Sequence, residues 1–283
     1  MIEQIVRHVF NQEVISFRNV DGGCINNAYY VQLEDQELFI KKNSKDFEAI
    51  FQKESKGLDL LSSRNLIKVP KILATGATNG CSFLILEWIE KGTIEKKSFN
   101  QLGKDLASLH SNLFNDKFGL DHNNWIGSLE QRNNFFSSWD EFMIVNRYEY
   151  LLKIAIEKGL ISIDELKFFE KIYREFQNLI PKEKPSLIHG DLWNGNVIYD
   201  QTGSPLLIDP AVHFGHREMD IAMTKLFGGF DDEFYRSYNE SFPLEKGWEN
   251  RIKVNQLYPL LVHLVLFGRT YWNDIKMTVS KYI

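Results

Sequence analysis

The sequence predicts an α+β chain with two unequal lobes, a small β-rich amino-terminal lobe over residues 1–90 and a larger, mainly helical lobe over 91–283. Three observations carry this. Short runs of alternating or aromatic-rich residues crowd the first ninety positions, which is the pattern of strands and hairpins. After Glu90-Lys91-Gly92 the apolar positions recur at helical spacing over long stretches. The length of 283 residues is enough for about two domains.

Each element follows from its residues. Ile2, Ile5, Val6 and Val9 fall at helical spacing, so 2–10 is a short helix. Residues 15–17 are strand-like. Gly22-Gly23 breaks the chain before 28–33, whose aromatic and apolar content suits a strand. Asp35-Gln36 turns it, and 38–40 returns as the hairpin partner. Residues 46–63 place Phe47, Ile50, Phe51, Leu58 and Leu61 among good helix formers. Strand and turn follow over 69–76, and a strongly apolar strand over 82–89. In the second lobe, helices are predicted over 98–113, 134–158, 162–179, 217–227, 231–239 and 248–279. Very short strands at 187–188, 197–199 and 206–208 interrupt them. The loop at 200–205, with Gly and Pro, joins the last two strands as a hairpin.

Composition excludes several classes. The formal charge is −5, with no basic run, which argues against a general nucleic-acid binder. The amino terminus lacks a basic n-region and a long apolar core, and the longest apolar stretch, 260–267, is far short of a membrane span of about 20 residues. Two cysteines, Cys24 and Cys81, cannot make a disulfide framework and suit a reducing compartment. The expectation is a cytoplasmic protein that binds neither nucleic acid nor membrane.

The chemistry concentrates in one stretch. His189-Gly-Asp-Leu-Trp-Asn-Gly-Asn196 is followed by Asp209-Pro-Ala211. Asp191 and Asn196 have the D-x-x-x-x-N spacing of a kinase catalytic loop. Phosphoryl transfer needs a carboxylate beside the attacking hydroxyl and hard oxygen donors for Mg²⁺. Asp191 supplies the first. Asn196 and Asp209 supply the second, brought back together by the hairpin between them. His189 reads as a structural hydrogen-bonding residue of the loop, and Asp220 as a helix-opening residue that ties down its backbone.

The same stretch, together with 209–230, resembles the fructosamine kinase (ketosamine-3-kinase) family. The likeness extends to Gly22-Gly23-Cys24-Ile25-Asn26, Phe39-Ile40-Lys41, Leu102-Gly103 through Leu109-His110, Asn124 to Ser128, and Val262-His263 to Phe267-Gly268. The resemblance implies a bilobal protein-kinase-like fold and transfer of the ATP γ-phosphate to the 3-hydroxyl of a ketoamine, on small molecules or glycated proteins. The product is unstable and frees the amine. It also implies roles. Lys41, chosen over its neighbour Lys42 by the family pattern, meets the phosphates. Glu54, rather than Glu48, pairs with it. The loop Gly22, Gly23, Cys24, Ile25 and Asn26 covers the phosphates through backbone N–H groups. Backbone groups of Glu87, Trp88 and Ile89 meet the adenine edge. Trp193 either stacks on the acceptor or packs the loop, and His213, His216 and Glu218 line the acceptor pocket. Some family members carry a redox-sensitive cysteine in the phosphate loop, so the chain is expected to be a monomer or a redox-dependent homodimer through Cys24.

Three alternatives stand beside this reading. One is a phosphotransferase for an aminoglycoside, choline or another small alcohol on the same fold. Another is a nucleotide-binding pseudokinase. The third is a metal-dependent hydrolase, for which no His/Asp set at metal spacing is evident beyond this loop.

Overall fold

The computed structural model describes residues 1–20 and 26–282. The expected phosphate-loop residues Gly22, Gly23, Cys24 and Ile25 lie outside them. In chain order the elements are α1 (Ile2–Phe10), β1 (Ser16–Asn19), β2 (Asn27–Gln32), β3 (Glu37–Ser44), α2 (Glu48–Ser62), β4 (Ile72–Thr78), β5 (Cys81–Glu87), α3 (Lys96–Asn112), β6 (Asn124–Ile126), β7 (Leu129–Gln131), α4 (Trp139–Met143), α5 (Tyr150–Glu157), α6 (Lys167–Leu179), β8 (Ser186–Ile188), β9 (Val197–Tyr199), β10 (Pro205–Leu207), β11 (His213–Gly215), α7 (Glu218–Thr224), α8 (Asp232–Ser241), α9 (Trp248–Asn255), α10 (Leu257–Phe267) and α11 (Trp272–Val279). Among the described residues no helix is long and apolar enough to cross a membrane.

The chain falls into two compact units. One comprises Met1–Ser98 and Gly195–Pro210, the other Phe99–Asn194 and Ala211–Ile283. The first holds a five-stranded antiparallel sheet in the order β1-β2-β3-β5-β4. Strand periodicity sends alternate residues to opposite faces. Leu38 and Ile40 of β3, with Phe83 and Ile85 of β5, pack against Ile2, Ile5 and Val6 of α1. Phe39 of β3, with Leu84 and Leu86 of β5, packs on the other side against Phe51 and Leu58 of α2. Lys41 is two residues beyond Phe39 and so belongs to the α2 face.

The hairpin β9–β10 docks onto this unit. Leu207 N–H donates to Lys68 O at 2.9 Å, and Gly92 N–H to Tyr199 O at 2.9 Å. Glycine is required at 92, because a Cβ there would come within 2.2 Å of Asp200 O.

The second unit is helical around one large core that includes Phe142, Tyr148, Phe169, Phe176, Leu257 and Leu261. Two small antiparallel pairs, β8 with β11 and β6 with β7, lie in its chain. Two long predicted helices are broken. The helix expected over 134–158 is α4, a π-helical turn over Ile144–Glu149, and α5. The helix expected over 248–279 divides into α9, α10 and α11. Gly268, at φ 99°, ends α10 in a conformation that other residues rarely adopt. Ser162 and Glu165 form a capping box at a 3₁₀ turn ahead of α6, so the helix predicted from 162 begins in earnest at Lys167.

Candidate active site

The first unit gathers Lys41, Glu54 and Asp209. Glu54 sits on the buried stripe of α2, three residues after Phe51 and four before Leu58, both fully buried. That stripe faces the sheet side that carries Lys41. The Lys41 Nζ donates to Glu54 Oε1 at 2.6 Å and to Asp209 Oδ1. The lysine side chain is 8% exposed and that of Glu54 12%, whereas Asp209 is 43% exposed. Burial alone would lower the Lys41 pKa, but the Asp209 and Glu54 carboxylates outweigh it and raise it, so the ammonium is charged at any physiological pH. Burial raises the Glu54 pKa, with Lys41 opposing and the Asp209 charge adding to it. The competing residues are elsewhere: Lys42 Nζ contacts Met1 Sδ, and Glu48 accepts a hydrogen bond from Gln52.

Asp209 has φ 54°, a left-handed conformation that Asp tolerates better than most residues. Ile208 N–H donates to Asn196 O at 3.1 Å. The hairpin thus closes on itself and carries Asn196 and Asp209 at its two ends. One carboxylate and one amide oxygen, with the carboxylate open to solvent, suit a Mg²⁺ ion that takes its remaining ligands from phosphate and water. Among the described residues no group of three or more His, Cys, Asp or Glu could hold a metal by itself.

The backbone at the end of β5 that leads to Ile89 is partly committed. Glu87 N–H donates to Lys71 O at 2.9 Å and Trp88 N–H to Glu37 O at 3.2 Å. These two N–H groups, expected to meet adenine, are therefore spent within the sheet. The Trp88 ring meets Tyr30 edge-on at 4.9 Å, and its Nε1–H donates to Glu90. Asn26, the described end of the phosphate loop, accepts from Asn43 Nδ2 at 2.8 Å.

The second unit holds the catalytic loop by its backbone. Asp220, fully buried at the start of α7, accepts from His189 N–H at 2.7 Å and Gly190 N–H at 2.9 Å. A third bond comes from His110 Nε2 at 3.2 Å, and His110 Nδ1 in turn meets the Tyr238 hydroxyl at 2.9 Å. A carboxylate only accepts, so His110 carries its proton on Nε2 and Tyr238 donates to Nδ1. Burial alone would raise the Asp220 pKa, but these donors and the nearby histidines lower it on balance. His189 is fully buried; its carbonyl accepts from Ala211 N–H at 2.9 Å and its Nδ1 from Asp191 N–H at 3.3 Å. Gly190 has φ 84°, and a Cβ there would come within 2.2 Å of Ala211 O. The Asp191 charge is close enough to help raise the buried Tyr258 hydroxyl, whose pKa burial chiefly pushes up to about 12.

Trp193 is 36% exposed and meets Phe227 edge-on at 5.9 Å. The other residues expected to line an acceptor pocket are placed differently. His213 is buried and stacks on Phe142 at 5.4 Å. His216 is fully buried against Pro181 O at 3.1 Å. Glu218 is buried and paired with Arg251, whose Nε donates to it at 2.9 Å. These three side chains serve packing and ion pairing inside the unit. The His216 and Glu218 side chains expected from the resemblance to line a pocket instead satisfy partners distant in sequence.

One arrangement had no sequence signal. Gln131 Nε2 donates to Ala211 O at 2.9 Å and Asn124 Nδ2 to Val212 O at 2.8 Å. Asn133 Nδ2 donates to Asn124 Oδ1 at 2.8 Å, and Arg147 Nη2 to Asn133 Oδ1 at 2.9 Å. Tyr258 OH donates to Gln131 Oε1 at 2.6 Å. This buried network fixes the strand entry just beyond Pro210. Its members come from β6, β7, the π-helical turn and α10, so only the assembled fold reveals it.

The chain is 37% identical over 268 residues to a "Probable ketoamine kinase" of Enterococcus faecium, covering 93% of this chain and 94% of that one. It is 33% identical over 278 residues to the chloroplastic protein-ribulosamine 3-kinase of Arabidopsis thaliana, covering 96% and 83%. Among solved structures, a "Putative fructosamine-3-kinase" from Haemophilus somnus superposes with TM-score 0.88 at 32% identity, covering 100% of this chain and 96% of that one. Choline kinase LicA from Streptococcus pneumoniae superposes with TM-score 0.65 at 19% identity, covering 99% and 97%, and shares the fold alone. The fructosamine kinase family model matches residues 1–283, and the chain belongs to that family.

Proposed function

We propose that this protein is an ATP-dependent ketosamine-3-kinase. It transfers a phosphoryl group from ATP to the 3-hydroxyl of a ketoamine sugar. The observation that carries the reading is the buried Lys41 held by Glu54 and Asp209 in a chain of this family. A lysine fixed by two carboxylates presents one oriented cation to the α- and β-phosphates.

Asp191 accepts the proton of the attacking hydroxyl and orients its oxygen for in-line attack. Asp220 keeps that loop in place through His189 and Gly190. Asn196 and Asp209 would hold Mg²⁺, which neutralises charge on the transferring phosphoryl oxygens when bound. The protein's own contribution is positioning and fixed charge, which is most of what phosphoryl transfer asks of an enzyme. The mild negative charge of the chain is no obstacle, because positive potential at the phosphates is local. A 3-phosphate leaves more readily than the hydroxyl it replaces: β-elimination from the enaminol form expels inorganic phosphate, and water hydrolyses the resulting imine to the free amine and a 3-deoxydicarbonyl sugar. That makes the reaction a deglycation step, carried out in the cytoplasm.

The test is ADP release across an acceptor panel with Mg·ATP. Fructosamine, ribulosamine and erythrulosamine adducts should be turned over at least tenfold faster than choline or an aminoglycoside. Preference for either of the latter would overturn the reading in favour of a different alcohol phosphotransferase. Nucleotide binding without turnover of any acceptor would mark a pseudokinase.

A further inference from the structure

A row of rings leaves the catalytic loop and runs along the second unit. Trp193 stands two residues after Asp191 and is 36% exposed. It meets Phe227 at 5.9 Å, Phe227 meets His263 at 4.8 Å, and His263 meets Phe267 at 5.3 Å and Tyr271 at 5.2 Å. Each step lies within the centroid range of about 4.5–7 Å at which aromatic rings attract. Phe267 is the last residue of α10 and is 54% exposed. Its ring packs on His263 at 5.3 Å and Tyr271 at 6.5 Å while the residue stays exposed.

The row carries no fixed charge. Burial lowers the His263 pKa on balance, outweighing the bond from its Nδ1 to Pro259 O at 2.7 Å, which raises it, and the neutral imidazole so favoured acts as another aromatic plate. Its Nε2 keeps a lone pair.

We propose that Phe227, His263, Phe267 and Tyr271 form the subsite for the amine portion of the acceptor, and that they favour small ketoamines whose amine carries an aryl or alkyl group. The inference rests on the ketosamine kinase reading and deepens it. The reacting hydroxyl must reach Asp191, so the sugar occupies the position nearest the loop. The other end of a ketoamine is its amine substituent. Beyond Trp193 the described row presents that substituent with aromatic rings, which is the composition of sites that bind apolar groups.

The experiment compares the fructose adducts of methylamine and of 2-phenylethylamine, with wild type, Phe267→Ala and Phe227→Leu. Methylamine adds one carbon and no ring, whereas the phenylethyl group adds a ring that can join the row. In wild type the phenylethyl adduct should have a KM roughly five- to tenfold lower, the scale of one or two ring contacts. Phe267→Ala should raise that KM to near the methylamine value, with kcat and the methylamine KM unchanged. Phe227→Leu should act in the same direction. Equal KM values for the two adducts in wild type, or a variant that shifts both adducts alike, overturns the subsite while leaving the kinase reading intact. Turnover of neither adduct overturns the kinase reading itself. If Phe267→Ala leaves both KM values alone but changes the mass measured by light scattering, the row is a contact between copies of this chain and the subsite is refuted.

Discussion

Replacing Glu54 with Gln removes one charge from a buried pair while keeping shape and volume. Lys41 Nζ and Glu54 Oε1 are 2.6 Å apart and both side chains are nearly closed to solvent. At an effective dielectric of about 20 their attraction is about 6 kcal/mol, most of which offsets the cost of burying the two charges. Deleting one partner of a buried pair typically costs about 3–5 kcal/mol, because the other charge is stranded. Here Lys41 keeps Asp209. The expected loss is therefore smaller, about 1–3 kcal/mol, or a fall in melting temperature of roughly 2–10 °C. The kinetic effect follows from orientation. An ammonium held by one carboxylate instead of two is less well aimed at the phosphates, and kcat/KM for ATP should fall about ten- to a hundredfold, equivalent to about 1.4–2.7 kcal/mol. Steady-state kinetics with varied ATP and thermal melting read both quantities. Glu48→Gln is the control, since Glu48 only accepts a 3.3 Å bond from Gln52, and it should change neither. If Glu54→Gln keeps kcat/KM within twofold of wild type, the pair does not position the lysine and the reasoning fails.

Other predictions follow from single contacts. Gly190→Ala forces a Cβ to 2.2 Å from Ala211 O at φ 84°, so it should destabilise the second unit by at least about 3 kcal/mol and abolish turnover; near-normal activity of a soluble variant would contradict this. His189 N–H and Gly190 N–H use different oxygens of Asp220, so Asp220→Asn removes the charge, leaves one acceptor and turns an NH₂ donor toward the other N–H. The substitution should lower kcat by about tenfold while leaving KM for ATP unchanged, as kinetics would show. His213 has its pKa lowered to about 3, chiefly by burial and then by Arg147. The unfolded chain takes up this proton near 6.5, so the stability of the folded state falls as pH drops from 6.5 towards 3. His213→Gln should flatten that dependence, and urea midpoints at pH 7 and pH 5 should differ less than in wild type.

The parts of the fold set by local periodicity were legible. Phe51 and Leu58 marked the buried face of α2, while the choice of Glu54 over Glu48 comes from the family resemblance and agrees with that face. Alternation along β3 says that only one of Lys41 and Lys42 shares the α2 face; the choice of Lys41 comes from the family resemblance, and the structure places it on that face. The spacing from Asp191 to Asn196 to Asp209 described a loop and a returning hairpin, and such a hairpin exists at Val197–Leu207. What depended on distant partners was not legible. Nothing local in His213-Phe-Gly-His-Arg-Glu218 shows that Glu218 answers Arg251, or that Arg217 answers Glu183. The π-helical turn at Ile144–Glu149 had no signal either, because its residues keep good helical patterning and only the burial of Arg147 against Phe142 and Tyr258 distinguishes it. The strands β6, β7 and β11 are three residues each, as β8, β9 and β10 are, but Asn-Trp-Ile, Leu-Glu-Gln and His-Phe-Gly lack the apolar runs that announced Ser186–Ile188, Val197–Tyr199 and Pro205–Leu207.

The central claim is the site of phosphorylation. The most direct measurement is NMR of the product formed from a fructosamine and Mg·ATP, with ³¹P–¹H coupling used to assign the esterified position. The account predicts one product, phosphorylated on O3, and none from Asp191→Asn under the same conditions. A phosphate on any other hydroxyl, or equal product from Asp191→Asn, would contradict it.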